Sequence, residues 1–252
     1  MKLISSFAFV MVTLALPAQA PQPVPVRNEP RHHLAFENSL LRVFRVEVAP
    51  HDSTLLHQHA LDYIFVSLGA SDVINAPQGK PEIHLQLADG EVRYAPATVI
   101  HVARNLSDKP FRNLTIEFLQ PQGAAHNLCR QIVPGDLGPC DRQSGPAFQI
   151  EPVFETDKLR VEIVRLTPSA EKTTLDSSGD SLIAALDEAE ILVQAPNEAG
   201  PGKTLRTGDF LWIPARSPRV FSNLRAASSR LPSSFLRITF KDSASATAFD
   251  CH

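Results

Sequence analysis

Glycine is scarce in this chain, 11 residues of 252 against 21 prolines. That balance suits many short strands joined by stiff turns and disfavours a helical bundle. Charge excess is also missing. Lysine plus arginine (24) nearly balances aspartate plus glutamate (27), for a net charge of −3. No basic stripe with interleaved aromatics occurs, which argues against a nucleic-acid surface. The three cysteines include no close-spaced pair, so a thiolate metal site is a poor reading. No window after the first twenty residues is long and apolar enough to cross a bilayer, which takes about 20 residues. Apart from that N-terminal stretch, none shows a sustained helical period with capping signals.

What is present begins with an N-terminal pattern. Lys2 precedes an apolar stretch from Phe7 to Leu16 and an Ala18-Gln19-Ala20 exit. This is the layout of a cleaved secretory signal, and it predicts a secreted or periplasmic protein starting near Pro21. Export implies oxidising conditions, under which cysteines pair. Cys129 and Cys140 bracket a Pro/Gly-rich loop and are the favoured pair, with Cys251 left over and other pairings open.

The most informative feature is an internal repeat. "FENSLLRVFRVEVAP" from Phe36 matches "FETDKLRVEIVRLTP" from Phe154, 118 positions later (154 − 36). "GEVRYAPATVIHVARNL" from Gly90 matches "GDFLWIPARSPRVFSNL" from Gly208 at the same offset (208 − 90). Two copies of one unit of about 100 residues are therefore expected. Period-two alternation in "LLRVFRVEVAP" and "PEIHLQLADG", with β-branched and aromatic closing strands "NLTIEFLQP" and "FLRITFKD", makes each copy β structure of sandwich or jelly-roll type. The turn-rich tip "APNEAGPGK" in the second copy corresponds to "APQGK" in the first. The expected organisation is a signal peptide over 1–20, an N-terminal arm over 21–35 and a first barrel over 36–122. A linker over 123–150, a second barrel over 151–242 and a tail over 243–252 follow.

The residues of the first copy resemble the cupin family. That family's second motif, G-x5-P-x-G-x2-H-x3-N, is met by Gly90, Pro96, His101 and Asn105, with Thr98 in place of the middle glycine. Its first motif, G-x5-H-x-H-x3,4-E-x6-G, is met by His57, His59 and Gly69, with His51 in place of the leading glycine. Asp62 stands near the glutamate position, one residue too close to His59. The resemblance covers both copies and implies an all-β fold of tandem cupin barrels. It also implies His57, His59 and His101 as ligands of one divalent transition metal ion (Fe, Mn, Ni, Cu or Zn), with Asp62 as a fourth ligand or as an orienting partner of one imidazole. Histidines at i and i+2 on a strand share a face, so their rings can converge on one ion. His51, His84 and His126, and the His32-His33 pair in an unpatterned arm, carry no expected site role. Tyr63, Ile64, Phe65 and Val66 are candidate substrate contacts.

By the 118 offset, His57 becomes Leu175, His59 becomes Ser177 and His101 becomes Arg219, so the second copy has lost these ligands. Asp62 becomes Asp180, which predicts an Asp180–Arg219 ion pair in place of the metal; an anion held by Arg216 and Arg219 is the rival. The resemblance implies a metalloenzyme of dioxygenase, isomerase, decarboxylase or lyase type acting on a small molecule. A non-catalytic binding or structural protein remains the alternative. No nucleic-acid partner and, after signal cleavage, no membrane partner is expected; a homodimer is left open.

Overall fold

The computed structural model describes residues 22–168, 172–175, 178–186, 190–196, 202–224 and 232–241. The expected signal segment, Ser177, the tip residues 197–201 and Cys251 lie outside them.

The described residues form two β-sandwich barrels in tandem. In the first, one five-stranded sheet runs in the order Val24–Pro25, His57–His59, Val99–Asn105, Ser71–Pro77 and Ile83–Leu87. The facing sheet runs His32–Glu37, Leu41–Val48, Phe111–Phe118, Tyr63–Ser67 and Val92–Ala95. The second barrel repeats this. Its larger sheet is built on Phe148–Thr156, Leu159–Leu166, Ser233–Phe240, Ser181–Ala185 and Phe210–Ile213. The sheet opposite holds Thr173–Thr174, Val220–Asn223, Glu190–Gln194 and Lys203–Arg206.

The repeat survives as register. Leu41 pairs with Phe118 in the first barrel and Leu159 with Phe240 in the second. The offset is 118 on one strand (159 − 41) and 122 on the other (240 − 118), because the second copy gains four residues before its last strand.

The central strand Phe111–Phe118 shows how sequence places the two faces. Successive side chains alternate, so Leu114, Ile116 and Phe118 turn outward while Phe111, Asn113, Thr115 and Glu117 turn into the barrel. All seven are buried. The outward apolar face can be fully buried because the second barrel covers it. Leu41, Ile64, Leu114 and Ile116 share one continuous core with Val153, Phe154, Leu182 and Leu236. The interface has the self-complementary logic of a two-fold dimer written into one chain. Phe36 packs on Trp212 with ring centroids 6.2 Å apart, and the repeat-equivalent pair, Tyr94 on Phe154, lies at 5.5 Å. Phe118 meets its own counterpart Phe240 at 6.4 Å, where a two-fold axis would pass.

Two expected boundaries differ from what forms. The described part of the arm, residues 22–35, belongs to the first barrel. Val24–Pro25 pairs in parallel with the histidine strand, Val26 enters the barrel core and His32 opens a strand. The linker over 123–150 contributes strands Ala125–Asn127 and Gln143–Ser144, both paired with Phe148–Thr156. Pieces of two or three residues are too short to show alternation, which is why the pattern in the sequence misses them. Within this segment Cys129 and Cys140 form a disulfide, with Cα atoms 4.6 Å apart.

Candidate metal centre

His57–His59 pairs antiparallel with Val99–Asn105, so that His57 lies directly opposite His101. With His59 two residues along, three imidazoles are brought close together. Ring centroids are 4.5 Å apart for His57 and His101, 5.0 Å for His57 and His59, and 5.5 Å for His59 and His101. A fourth ring joins them from the N-terminal strand: His32 lies 4.8 Å from His57 and 5.7 Å from His59. One ligating nitrogen from each of His32, His57 and His59 falls within 4.8 Å of the others. His32 and His101 thus flank the central pair. Sequence reasoning missed His32 because the repeat match begins only at Phe36, at the far end of its strand, and no alternation marks the residues before it; only the folded register carries it inward.

Each ring is held by an acceptor at Nδ1. His57 Nδ1 donates to the Leu55 carbonyl at 2.9 Å and His101 Nδ1 to Asn75 Oδ1 at 2.7 Å. His59 Nδ1 donates to Glu117 Oε1 at 3.1 Å and His32 Nδ1 to Glu29 Oε2 at 2.7 Å. Since each Nδ1 faces an acceptor, the proton sits there and Nε2 is left as a bare lone pair. His57 Nε2 and His59 Nε2 then face one another at 3.2 Å, and His101 Nε2 is buried without a protein partner. Opposed lone pairs are unfavourable unless a cation lies between them, so the donor set fits a metal ion. Outer partners of this kind fix tautomer and ring orientation in metal sites.

The electrostatics agree. Burial holds His57 and His59 down to about 3 and His101 to about 2, with the neighbouring imidazoles adding to the effect. All three are therefore neutral, ligand-competent bases at neutral pH. Burial pushes Glu117 up to about 7, against the pull of Arg42, whose Nη1 lies 3.4 Å from its Oε2. For Glu29, burial acts upward, but hydrogen bonds from His32 and the Leu55 N–H outweigh it and bring the carboxyl to about 2. Neither glutamate falls in a motif window; alternation along Phe111–Phe118 gives Glu117 an inward side chain but no partner.

Asp62 is not in this cluster. Its Oδ1 accepts from the Ala97 N–H at 2.8 Å and its Oδ2 from the Gln122 N–H at 3.0 Å. The repeat explains the residue: Asp180 accepts from the Ala215 N–H at 2.8 Å, the same contact 118 positions on. Both aspartates pin a turn, a role indifferent to metal. The expected Asp180–Arg219 ion pair therefore does not form. Arg219 Nη1 instead donates to the Pro218 carbonyl at 3.3 Å.

Of the expected substrate contacts, Tyr63 and Phe65 do face the histidines, and Tyr63 stacks on His59 at 4.1 Å. Burial raises the Tyr63 hydroxyl pKa. Ile64 and Val66 have the opposite parity and lie in the core shared with the second barrel. His84 pairs with Asp72 and His51 with Asp108, both at the surface. Asn105 and Asn113, each standing two residues before a Ser or Thr as in an Asn-x-Ser/Thr glycosylation signal, are 1% and 5% exposed, which closes both to glycosylation in the folded chain.

The two family glycines that this sequence replaces keep a glycine's backbone. His51 has φ 56° and Thr98 φ 72°, and Arg216, the repeat partner of Thr98, has φ 59°. A β-branched residue is strained there. The Thr98 N–H donates to the His59 carbonyl at 2.9 Å, so this strained turn buttresses the histidine strand.

Beside the histidines lies a cavity of about 60 Å³. The second barrel shows what keeps it open. Ala103 and Asn113, which line the cavity, correspond to Phe221 and Phe235, whose rings stack at 5.2 Å and narrow that interior to about 20 Å³.

No protein-family model matches this chain, and no curated protein is significantly similar to it in sequence. Solved structures do share its architecture. AerE from Microcystis aeruginosa superposes with a TM-score of 0.56 at 14% identity, over 85% of this chain and 99% of that one. A salicylate 1,2-dioxygenase from Pseudaminobacter salicylatoxidans gives 0.57 at 13%, over 85% and 77%. An oxalate decarboxylase from B. subtilis gives 0.52 at 12%, over 81% and 70%. With the two-barrel topology, they show the fold that this chain shares: two β-barrels of cupin type in tandem. Only its first barrel brings histidines together among the described residues.

Proposed function

We propose that the first barrel binds one divalent transition metal ion through His57, His59, His101 and His32, and that it acts as a mononuclear metalloenzyme on a small organic substrate in a secreted or periplasmic setting. The observation that carries this reading is the set of four imidazoles whose Nδ1 protons are all committed outward. Imidazole donors suit Fe, Ni, Cu and Zn, with Mn also within range. When bound, the ion would supply Lewis acidity toward a substrate oxygen or a redox centre for dioxygen chemistry. The chain's own contribution is to fix the rings, through Leu55, Asn75, Glu117 and Glu29, and to exclude bulk water with Phe65, Val73 and Phe111. Similarity of fold to a dioxygenase and a decarboxylase supports the class of chemistry and leaves the reaction open.

A second reading has its own observation. Four imidazoles suffice to fill a tetrahedral shell, as closed structural sites do. The cavity beside the rings favours the enzyme reading, since a purely structural ion needs no adjoining space. Metal content of the purified chain, followed by oxygen uptake with candidate phenols, diketones and organic acids, separates the two. Stoichiometric Fe, Mn, Cu or Ni with substrate-dependent uptake supports the enzyme. Tightly held metal with no change in any substrate supports the structural role.

A further inference from the structure

The second barrel keeps a pocket at the place where the first barrel gathers its histidines. It holds about 20 Å³, room for about one water-sized group. Leu175 stands there at the position of His57 and Arg219 at that of His101, while Arg237 takes the position of Thr115 (237 − 115, the last-strand offset of 122). Leu175, Ile183, Ile213 and Phe221 make much of the wall apolar, and no carboxylate lines it among the described residues. Arg237 is 8% exposed. Its Nε donates to Glu162 Oε2 at 2.7 Å and its Nη2 meets the same oxygen, which leaves Nη1 with no acceptor among the described residues. Glu162 is itself shared, since Arg160 Nε lies 3.3 Å from its other oxygen. Arg219 is partly buried and has only the Pro218 carbonyl, at 3.3 Å. The nearby Asp180 is spent on the Ala215 N–H.

Two guanidinium groups thus line a small, largely apolar space that offers N–H donors and positive charge in excess of acceptors. Charged donors withdrawn from water are costly unless an acceptor meets them. An anion supplies both the acceptor and the opposite charge, and the planar fork of arginine suits it. A volume of one water-sized group excludes tetrahedral oxyanions such as sulfate. We propose that the second barrel binds one small monovalent anion, a halide or the carboxylate end of an organic acid, between Arg219 and Arg237, with the Ser217 hydroxyl on the same wall as a further donor. The partner of Arg219 in this site is Arg237 and not Arg216, which is exposed and lies outside the pocket. The repeat then holds charges of opposite sign at one position of its two barrels. The anion site does not depend on the metal of the first barrel, because no residue is shared between the two pockets.

The test uses the full chain and three probes, bromide, formate and sulfate. Crystals soaked in bromide are expected to show an anomalous peak between Arg219 and Arg237, or formate is expected to shift the Nε–H resonances of both arginines in the ¹⁵N-labelled chain. The probe that binds tells a halide site from a carboxylate site. At equal ionic strength sulfate is expected to bind at least about ten-fold more weakly, since it cannot reach both guanidinium groups and forfeits one charge-assisted hydrogen bond. Arg219→Leu, which removes a side chain paired only with a carbonyl, is expected to weaken bromide or formate by at least about ten-fold for the same reason. Neither bromide nor formate in the pocket, undiminished binding in Arg219→Leu, or sulfate binding as tightly as the smaller anions would overturn the proposal. The wild-type peak and shifts decide the matter even if the variant folds poorly.

Discussion

The Nδ1 of His101 lies 2.7 Å from Oδ1 of Asn75, which leaves the buried Nε2 of His101 with no protein atom to satisfy it. Asn75 is a positioning residue. In Asn75→Leu the ring keeps its place on the strand but loses its fixed tautomer. Metal affinity is expected to fall about 10- to 100-fold, the usual cost of an outer partner, with unchanged circular dichroism. Competition against a chelating dye measures it; unchanged affinity would remove Asn75 from the site.

His32 and His33 are adjacent and separate ligand from bystander. His32 is buried beside His57, while His33 is exposed. His32→Ala should weaken metal binding at least about ten-fold, as much as losing an outer partner, and His33→Ala should leave it untouched. Equal behaviour of the two variants would exclude the arm from the site.

Acid should destabilise the metal-free protein. His57, His59 and His101 have folded values near 3, 3 and 2 against an unfolded value of 6.5. Below pH 6.5 the unfolded chain gains protons that the folded chain refuses, so stability falls as pH drops toward 3. Glu117 acts in the opposite sense. Its raised value adds stability that is fully present below 4.5 and lost as pH rises through about 7. Three histidines outweigh one carboxyl, each at up to about 1.4 kcal/mol per pH unit. Urea midpoints of the metal-free chain should fall from pH 7 to pH 5; a flat or rising profile would contradict the buried neutral cluster.

Thr98 sits at φ 72° where the family motif has glycine. Thr98→Gly is expected to stabilise the chain by about 1 kcal/mol through relief of backbone strain, read as a higher urea midpoint. A loss of stability would mean that the threonine side chain earns its place by contacts.

Much of this was legible beforehand. The 118-residue repeat announced two barrels, and the i, i+2 histidines with His101 were readable because motif spacing survives folding. His32, Glu29, Glu117 and Asn75 were not: His32 and Glu29 share one short segment, and that segment, Glu117 and Asn75 reach the motif histidines only in the folded sheets. Asp62 misled for a related reason. Its place in the motif was close to a ligand's, but its repeat counterpart Asp180 shows a turn-pinning role that the sequence could not distinguish from coordination. Parity along Tyr63–Ser67 was visible, yet which face met the cavity depended on the second barrel covering Ile64 and Val66.

The shared core also has a mechanical consequence. Phe118 is fully buried where the barrels meet. Phe118→Ala should cost about 3–5 kcal/mol and lower the stability of both barrels in one calorimetric transition. Two separate transitions would contradict a common core.

The most direct test is metal stoichiometry by elemental analysis on the purified full chain, beside the His57→Ala and His101→Ala variants. One transition-metal ion per chain in the native protein, with loss in both variants, is the expected result. No stoichiometric metal, or equal content in the variants, would contradict the four-histidine centre.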